Sequence, residues 1–227
     1  MVRRHTIGVA VLAALLFATP RTAGAQPIGL FAKIAFDPSI GGTMHTSGSG
    51  IVNGAAVSVS EQSWTDTHTQ ASPLFVGGIG LTVAPGATAL VGFEYGRAGA
   101  DTMTIGSAAG QDLRAEFDPY QYWGLEGGFR AGGRTGPYGT AMIGFRHVNE
   151  IRVTTNVSGL AKSDFYKAST VPSFGFGAGY SFGIVAVEVM AQYAGGLTAS
   201  KGAPALFQTI ASDGARWSLP ISLVVGF

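Results

Sequence analysis

Histidines and charged side chains are the first candidates for chemistry in this 227-residue chain, which has no cysteine and therefore no thiolate, disulfide or thiol-bound metal. His147 lies in Phe145-Arg146-His147-Val148-Asn149-Glu150, at the end of an alternating segment. An imidazole there could act as a general base only for a nucleophile within hydrogen-bond reach, and the position two residues on is Asn149. His45 and His68, with Asp66, fall in one polar stretch and have no recognised metal-ligand spacing. The clusters Gly77-Gly78-Ile79-Gly80 and Gly175 to Gly179 lack the Lys-Ser/Thr of a phosphate loop. These residues therefore predict no catalytic, metal or cofactor site. A formal net charge of +1 also excludes nucleic acid as a partner, because affinity for phosphates needs a basic surface.

The charged set Lys33, Glu94, Glu126, Arg130, Arg146, Glu188 and Arg216 has a more telling placement. Each member alternates with a large apolar residue, so the elements that carry the set are strands with one greasy and one polar face. Val91, Phe93 and Tyr95 alternate with Gly92, Glu94 and Gly96. Trp123 and Leu125 alternate with Gly124 and Glu126, and Val187 and Val189 with Glu188. The carboxy terminus runs Trp217, Leu219, Ile221, Leu223, Val225, Phe227 against Arg216, Ser218, Pro220, Ser222, Val224 and Gly226. Eight such segments follow residue 26.

Their connections alternate in length. Ala84 to Ala87, Gly132 to Gly136 and the Gly183 corner are short, whereas 38–72, 98–118, 148–170 and 195–214 are long and polar. Three short turns and four long loops fit an eight-stranded antiparallel up-and-down transmembrane β-barrel with both termini on the short-turn side. Closure is required, since lipid cannot satisfy an open sheet edge. The bore of an eight-stranded barrel has room only for side chains, so glycine relieves crowding and acids pair with bases across it. Glu94 and Glu126 are expected at similar heights, with Arg130, Arg146 and Lys33 available to neutralise them. Rearranging these pairs could alternatively gate a narrow ion path. A soluble lipocalin-like barrel would reverse the faces, with Phe93, Trp123, Val187 and Leu223 lining a pocket and Glu94, Glu126 and Glu188 in water.

Arg3 and Arg4, the apolar run Ile7 to Ala18 and the site Ala23-Gly24-Ala25 make residues 1–25 a secretory signal peptide, leaving 26–227 as the barrel domain. Its removal leaves eleven bases and thirteen acids. The whole pattern resembles the small outer-membrane barrels of Gram-negative bacteria, the OmpA and OmpX class. The terminal strand and Phe174-Gly175-Phe176-Gly177-Ala178-Gly179-Tyr180-Ser181-Phe182 carry the resemblance most specifically. The resemblance implies an outer-membrane location, contact with lipid and lipopolysaccharide, and a structural or surface-interaction role rather than catalysis. It also implies that Trp217, Leu223, Val225 and Phe227 form the signal read by the barrel-assembly machinery.

Some members of that class modify lipids. For a lipid A deacylase the resemblance puts His147 at the extracellular rim, where the missing serine at 149 counts against it. Rim residues Arg97 and Arg152 are expected to meet lipopolysaccharide phosphates. The Ser/Thr/Gly-rich segment from Ser39 to Gln70 is either a surface for an external ligand or a mobile insertion. Pro220 removes a ladder donor from a central strand, which predicts a local bulge.

Overall fold

The computed structural model describes residues 28–69, 73–158, 160 and 162–226. The signal-peptide segment and Phe227 lie outside the described residues. Eight antiparallel strands close into a barrel: β1 Ile28–Phe36, β2 Pro73–Ala84, β3 Ala87–Ala98, β4 Tyr120–Gly132, β5 Thr135–Val148, β6 Ser169–Phe182, β7 Val185–Ala194, and β8 in two pieces, Arg216–Ser218 and Ile221–Gly226. Each strand pairs with the next in sequence, and β8 closes on β1 from Phe31↔Gly226 to Phe36↔Ile221. The tight turns use the conformations that glycine tolerates, with φ +75° at Gly86 and +96° at Gly183.

The apolar register faces outward. Val91, Phe93, Phe129, Ile143, Phe176 and Leu223 are all exposed, as a lipid-facing band requires. The seven charged residues named above are all buried, which excludes the lipocalin-like orientation. Inward glycines make room for the larger lumen groups. A Cβ on Gly124 would meet Glu94 Oε1 at 2.7 Å, and one on Gly96 would meet the Tyr122 ring at 2.5 Å.

At Pro220 the expected bulge is absent. Gln192 faces Ser218 and Val189 faces Ile221 in one unbroken register, and Met190 N–H still donates to the Pro220 carbonyl at 3.0 Å. The missing proline donor interrupts the ladder without inserting a residue. The register shift on β8 lies instead between Trp217 and Ser218, where it pairs with the short strand Ser39–Gly41.

The long connections fold, contrary to a mobile insertion. Segments 48–52, 55–59, 103–108, 111–117, 151–155, 162–167 and 198–199 form a seven-stranded antiparallel sheet in the order 48–52, 55–59, 103–108, 111–117, 151–155, 162–167, 198–199. Two short helices complete this cap, α1 (Trp64–Thr67) and α2 (Ala205–Ile210). Helix α1 opens on a capping box in which Ser63 N–H donates to the Asp66 carboxylate at 3.2 Å. Helix α2 lies against Gly48 and Gly50 through Ile210 and Leu206. The cap strands alternate in the opposite sense to the barrel: Leu113, Ala115 and Phe117 are buried, while Asp112, Arg114 and Glu116 face solvent. With Trp64, Ile151, Phe165 and Phe207 they build an apolar cluster that continues down into the bore through Phe31, Leu74, Leu90 and Met142.

Candidate functional site: an ion-paired bore beneath a folded cap

Among the described residues, the buried charged side chains inside the barrel are four bases, Lys33, Arg130, Arg146 and Arg216, and four acids, Asp37, Glu94, Glu126 and Glu188. Lys33, on β1, meets Glu188 of β7 at 2.6 Å, and Thr140 Oγ1 donates to the other Glu188 oxygen at 2.9 Å. Arg146 grips Glu94 with two parallel bonds, Nε to Oε1 at 2.7 Å and Nη2 to Oε2 at 2.9 Å. The same Nη2 donates to Gln192 at 2.6 Å, and the guanidinium lies 4.4 Å from the Tyr122 ring. Near the cap, Arg216 donates to the Asp37 carboxylate and to the Asp37 carbonyl, both at 3.0 Å, and to Ser39 Oγ at 2.9 Å. Arg130 lies 3.8 Å over the Tyr138 ring. Forked, desolvated arginine–carboxylate pairs are the strong kind, and removing one partner leaves an uncompensated buried charge.

The pairing differs from the sequence expectation in one respect. Lys33 binds Glu188, Arg146 takes Glu94, and Glu126 makes no hydrogen bond or ion pair within 4 Å among the described residues. A cavity of about 10 Å³ touches Glu126, Arg146 and Gln192, room for about one water. Asp37, Gln192 and the tyrosine rings were not singled out in the sequence. Asp37 does share the polar register, and barrel closure is what sets it beside Arg216.

The outer rim carries an aligned row across four strands: Tyr95 faces Trp123, Trp123 faces His147, and His147 faces Thr170. His147 Nδ1 lies 2.9 Å from Thr170 Oγ1, and its ring centroid is 5.3 Å from that of Trp123. Asn149 supplies no nucleophile, yet the threonine hydroxyl from the neighbouring strand occupies that place. Arg97 is exposed at the rim. Arg152, in contrast, is ion-paired within the cap to Glu150 and, at 3.2 Å, to Asp164. The sequence holds one Gly-x-Ser-x-Gly string, Gly179-Tyr180-Ser181-Phe182-Gly183. It runs through the end of β6 into a turn rather than into a helix, and Ser181 Oγ donates to the Arg134 carbonyl at 2.8 Å, so it forms no nucleophile elbow.

On β8, Leu223 is exposed, while Trp217 packs on Tyr193 and Phe174 with ring centroids 5.0 and 5.8 Å apart. Val225 sits between Ala32 of β1 and Val185 of β7.

Two histidines are buried in the cap. His68 contacts the Asp118 carbonyl through Nε2 at 3.2 Å and Thr67 Oγ1 through Nδ1 at 2.9 Å. Burial, helped by the Arg216 charge, lowers its pKa to about 4 against the pull of the Asp118 carbonyl. Burial also lowers His45, whose ring sits between Phe117 and Phe165. Tyr166, raised to about 12 chiefly by burial, ties the cap together by donating to the Met44 carbonyl. Among the described residues no group of three His, Cys, Asp or Glu side chains could hold a metal ion.

No protein-family model matches the chain, and no curated protein matches it. Among solved structures, the attachment invasion locus protein Ail of Yersinia pestis aligns over 89% of this chain and 100% of its own, at 10% identity and a TM-score of 0.49. Neisserial surface protein A aligns over 89% of this chain and 97% of its own, with 14% identity and a TM-score of 0.42. The N-terminal β-barrel domain of Pseudomonas aeruginosa OprF aligns over 89% and 98%, with 10% identity and a TM-score of 0.40.

Proposed function

We propose that the protein is an integral outer-membrane protein of a Gram-negative cell whose barrel anchors a surface-recognition cap, after export directed by residues 1–25. The reading rests above all on one observation, a folded seven-stranded cap standing on a bore filled by buried ion pairs. A pore would need a continuous polar path. An anchor needs a stable, filled barrel and an ordered external surface. In this reading Trp217, Leu223, Val225 and Phe227 present the assembly signal, and Lys33, Glu94, Glu126, Arg130, Arg146, Glu188 and Arg216 serve to hold the bore shut. Arg97 faces lipopolysaccharide phosphates from the rim.

The test is expression in a Gram-negative host with an epitope placed in the Ala109-Gly110 turn. Intact cells should stain, the protein should fractionate with the outer membrane, and its gel migration should shift on boiling. Purified protein in planar bilayers should give no steady conductance. A steady conductance that Glu126→Ala alters would replace this reading with the pore.

The hydrogen bond between His147 and Thr170 on the lipid-facing rim supports a second reading, acyl-ester hydrolysis in the outer leaflet, with Thr170 as nucleophile and His147 as base. No carboxylate orients the other His147 nitrogen among the described residues, which ranks this reading below the first. Mass spectrometry of lipid A from cells with and without the protein decides it, with loss of an acyl chain as the supporting result.

A further inference from the structure

The cap hairpin formed by 48–52 and 55–59 turns on two residues, Asn53 and Gly54, with φ +50° and +81°. Both are exposed, and the ladder stops beside them at Val52↔Ala55. A carboxamide followed by glycine is a self-reactive pair. The glycine nitrogen can attack the asparagine Cγ and close a five-membered ring, because glycine has no side chain to block the approach or to stiffen the peptide group. A folded chain permits the attack where that nitrogen is free, its peptide group has room to turn and the attacked carbonyl is not held elsewhere.

The chain has three asparagines, and the fold separates them. Asn156 is tied at both ends of its carboxamide: Oδ1 accepts from Arg114 N–H at 2.9 Å, and Nδ2 donates to the Asp112 carbonyl at 3.0 Å. The nitrogen that follows it belongs to Val157, whose branched side chain crowds it and whose N–H donates to Thr155 Oγ1 at 3.3 Å. Asn149 is followed by Glu150, again with a full side chain beside the attacking nitrogen. The related pair Asp213-Gly214 is held as well, since Gly214 N–H donates to Ser212 Oγ at 3.0 Å and Asp213 Oδ1 accepts from Ala215 N–H at 3.2 Å. Gly54 differs from all of these. Its N–H makes no hydrogen bond among the described residues, and a Cβ built on it would meet nothing within 4 Å. The Asn53 carboxamide is held by one bond, from Nδ2 to the Ser158 carbonyl at 3.2 Å, which engages the leaving nitrogen and not the carbonyl that is attacked.

We propose that Asn53 is a self-modification site, converted by Gly54 and water into aspartate and isoaspartate. The Gly54 nitrogen forms a bond to Asn53 Cγ and gives up its proton, the Cγ–Nδ2 bond breaks, and Nδ2 leaves with that proton as ammonia. Water then opens the cyclic imide. Attack at Cγ restores the ordinary backbone as aspartate, whereas attack at the main-chain carbonyl carbon leaves isoaspartate, with the backbone routed through Cγ. Either product alters the hairpin. Nδ2 is the donor to Ser158, and a carboxylate in its place sets oxygen against oxygen. The segment Thr46 to Ser60 holds no charged residue before the change and one negative charge after it. Isoaspartate also adds a main-chain carbon to a two-residue turn whose length sets the strand register. The outer hairpin of the cap sheet therefore loosens with age, whatever the cap recognises.

The test incubates full-length protein in nanodiscs in heavy-oxygen water, from neutral to mildly alkaline pH, and then maps its peptides by mass spectrometry after digestion in ordinary water. The peptide containing Asn53 should gain a single heavy oxygen while ammonia appears in equal amount, faster at higher pH. Isoaspartate methyltransferase with a labelled methyl donor should mark the same peptide. Asn149 and Asn156 should keep their amides throughout. Asn53→Gln, whose longer side chain must close a larger ring, should lose the modification over the same incubation. Amide hydrogens of 48–59 should exchange faster in the modified protein, and in Asn53→Asp, than in unmodified protein. Gel heat-shift reports that each variant is folded. Reaction at Asn53 only after the chain is unfolded in urea would overturn the proposal, because the folded turn would then protect it. So would equal reaction at Asn149 or Asn156, a product without the heavy oxygen, or unchanged hydrogen exchange in the modified hairpin.

Discussion

Phe93 and Phe117 belong to two antiparallel sheets of one chain and do opposite things. Phe93 points outward and is 48% exposed, whereas Phe117 points inward and is 3% exposed. Glu94 and Glu116 are the mirror case: the first is buried in the bore beside Arg146, the second faces solvent on the cap. Backbone pairing is satisfied in the same way in both regions, so the difference lies in what surrounds the outer face. Lipid accepts apolar side chains without cost and rejects charge, and water does the reverse. The bore then inherits the polar groups and must neutralise them internally, while the cap inherits apolar groups and can simply pack them. The chain changes sense near Asp37, Tyr120 and Arg216, where the last lumen ion pair meets Trp64, whose ring centroid is 5.1 Å from that of Tyr120.

The sharpest way to break the comparison is to damage each interior by its own mechanism. Glu94→Ala strands Arg146 in the bore and should cost about 3–5 kcal/mol of barrel stability, read as a lower temperature for the gel heat-shift and a lower urea midpoint. Leu113→Ala opens a cavity in the cap core and should cost about 2–5 kcal/mol, but locally. Proteolysis should then cut the cap while the barrel stays resistant to SDS. If both substitutions lowered the heat-shift temperature equally, cap and barrel would be one cooperative unit and the distinction between them would fail.

The barrel was legible because its alternation is reinforced: outward residues are large and apolar, inward ones are glycine or charged, and the segments are long. The cap strands alternate just as regularly, at Leu113, Ala115, Phe117 and again at Ile151 and Val153. Their outward residues are those of any soluble surface, so the stretches read as polar loops although the apolar half of the pattern is present. That period of two was the available signal. The ion pairs were legible as a set but not as partners. Lys33 reaches Glu188 and Arg216 reaches Asp37 because β1 lies beside β8 after closure, with β7 next, and at matching heights that the shear of the cylinder sets. Thr170 was invisible as a neighbour of His147 for the same reason, since register rather than sequence spacing brings them together.

One substitution at matched outward positions tests the environment alone. Val91→Arg places a cation against lipid and should cost about 2–4 kcal/mol near the midplane, seen as a lower urea midpoint in bilayers. Ser58→Arg, outward on the cap, should stay within about 0.5 kcal/mol by the same measurement. Equal costs would mean that the cap, too, is immersed in an apolar phase.

The smallest effect expected in neutral buffer should emerge on acidification, because His68 is a latent liability in the cap. Its pKa of about 4 in the folded cap lies below the ordinary 6.5, so between those values the unfolded chain binds a proton that the folded cap refuses. Stability therefore falls as pH drops from about 6.5 towards 4, by a total of about 3 kcal/mol, and levels off below that. At pH 7.5 almost none of this loss is present. Protease digestion of intact protein in bilayers across pH 7.5 to 4 measures the effect: cap fragments should accumulate towards acid pH. His68→Gln retains a hydrogen-bonding side chain without a titrating group, so it should flatten the part of the cap's pH dependence due to this residue. The remaining slope would then report His45, whose pKa burial also lowers. A cap whose protease sensitivity did not change with pH would show that His68 is hydrated in solution, and that the apolar interior above the bore is less dry than the packing of Trp64, Phe117 and Phe165 requires.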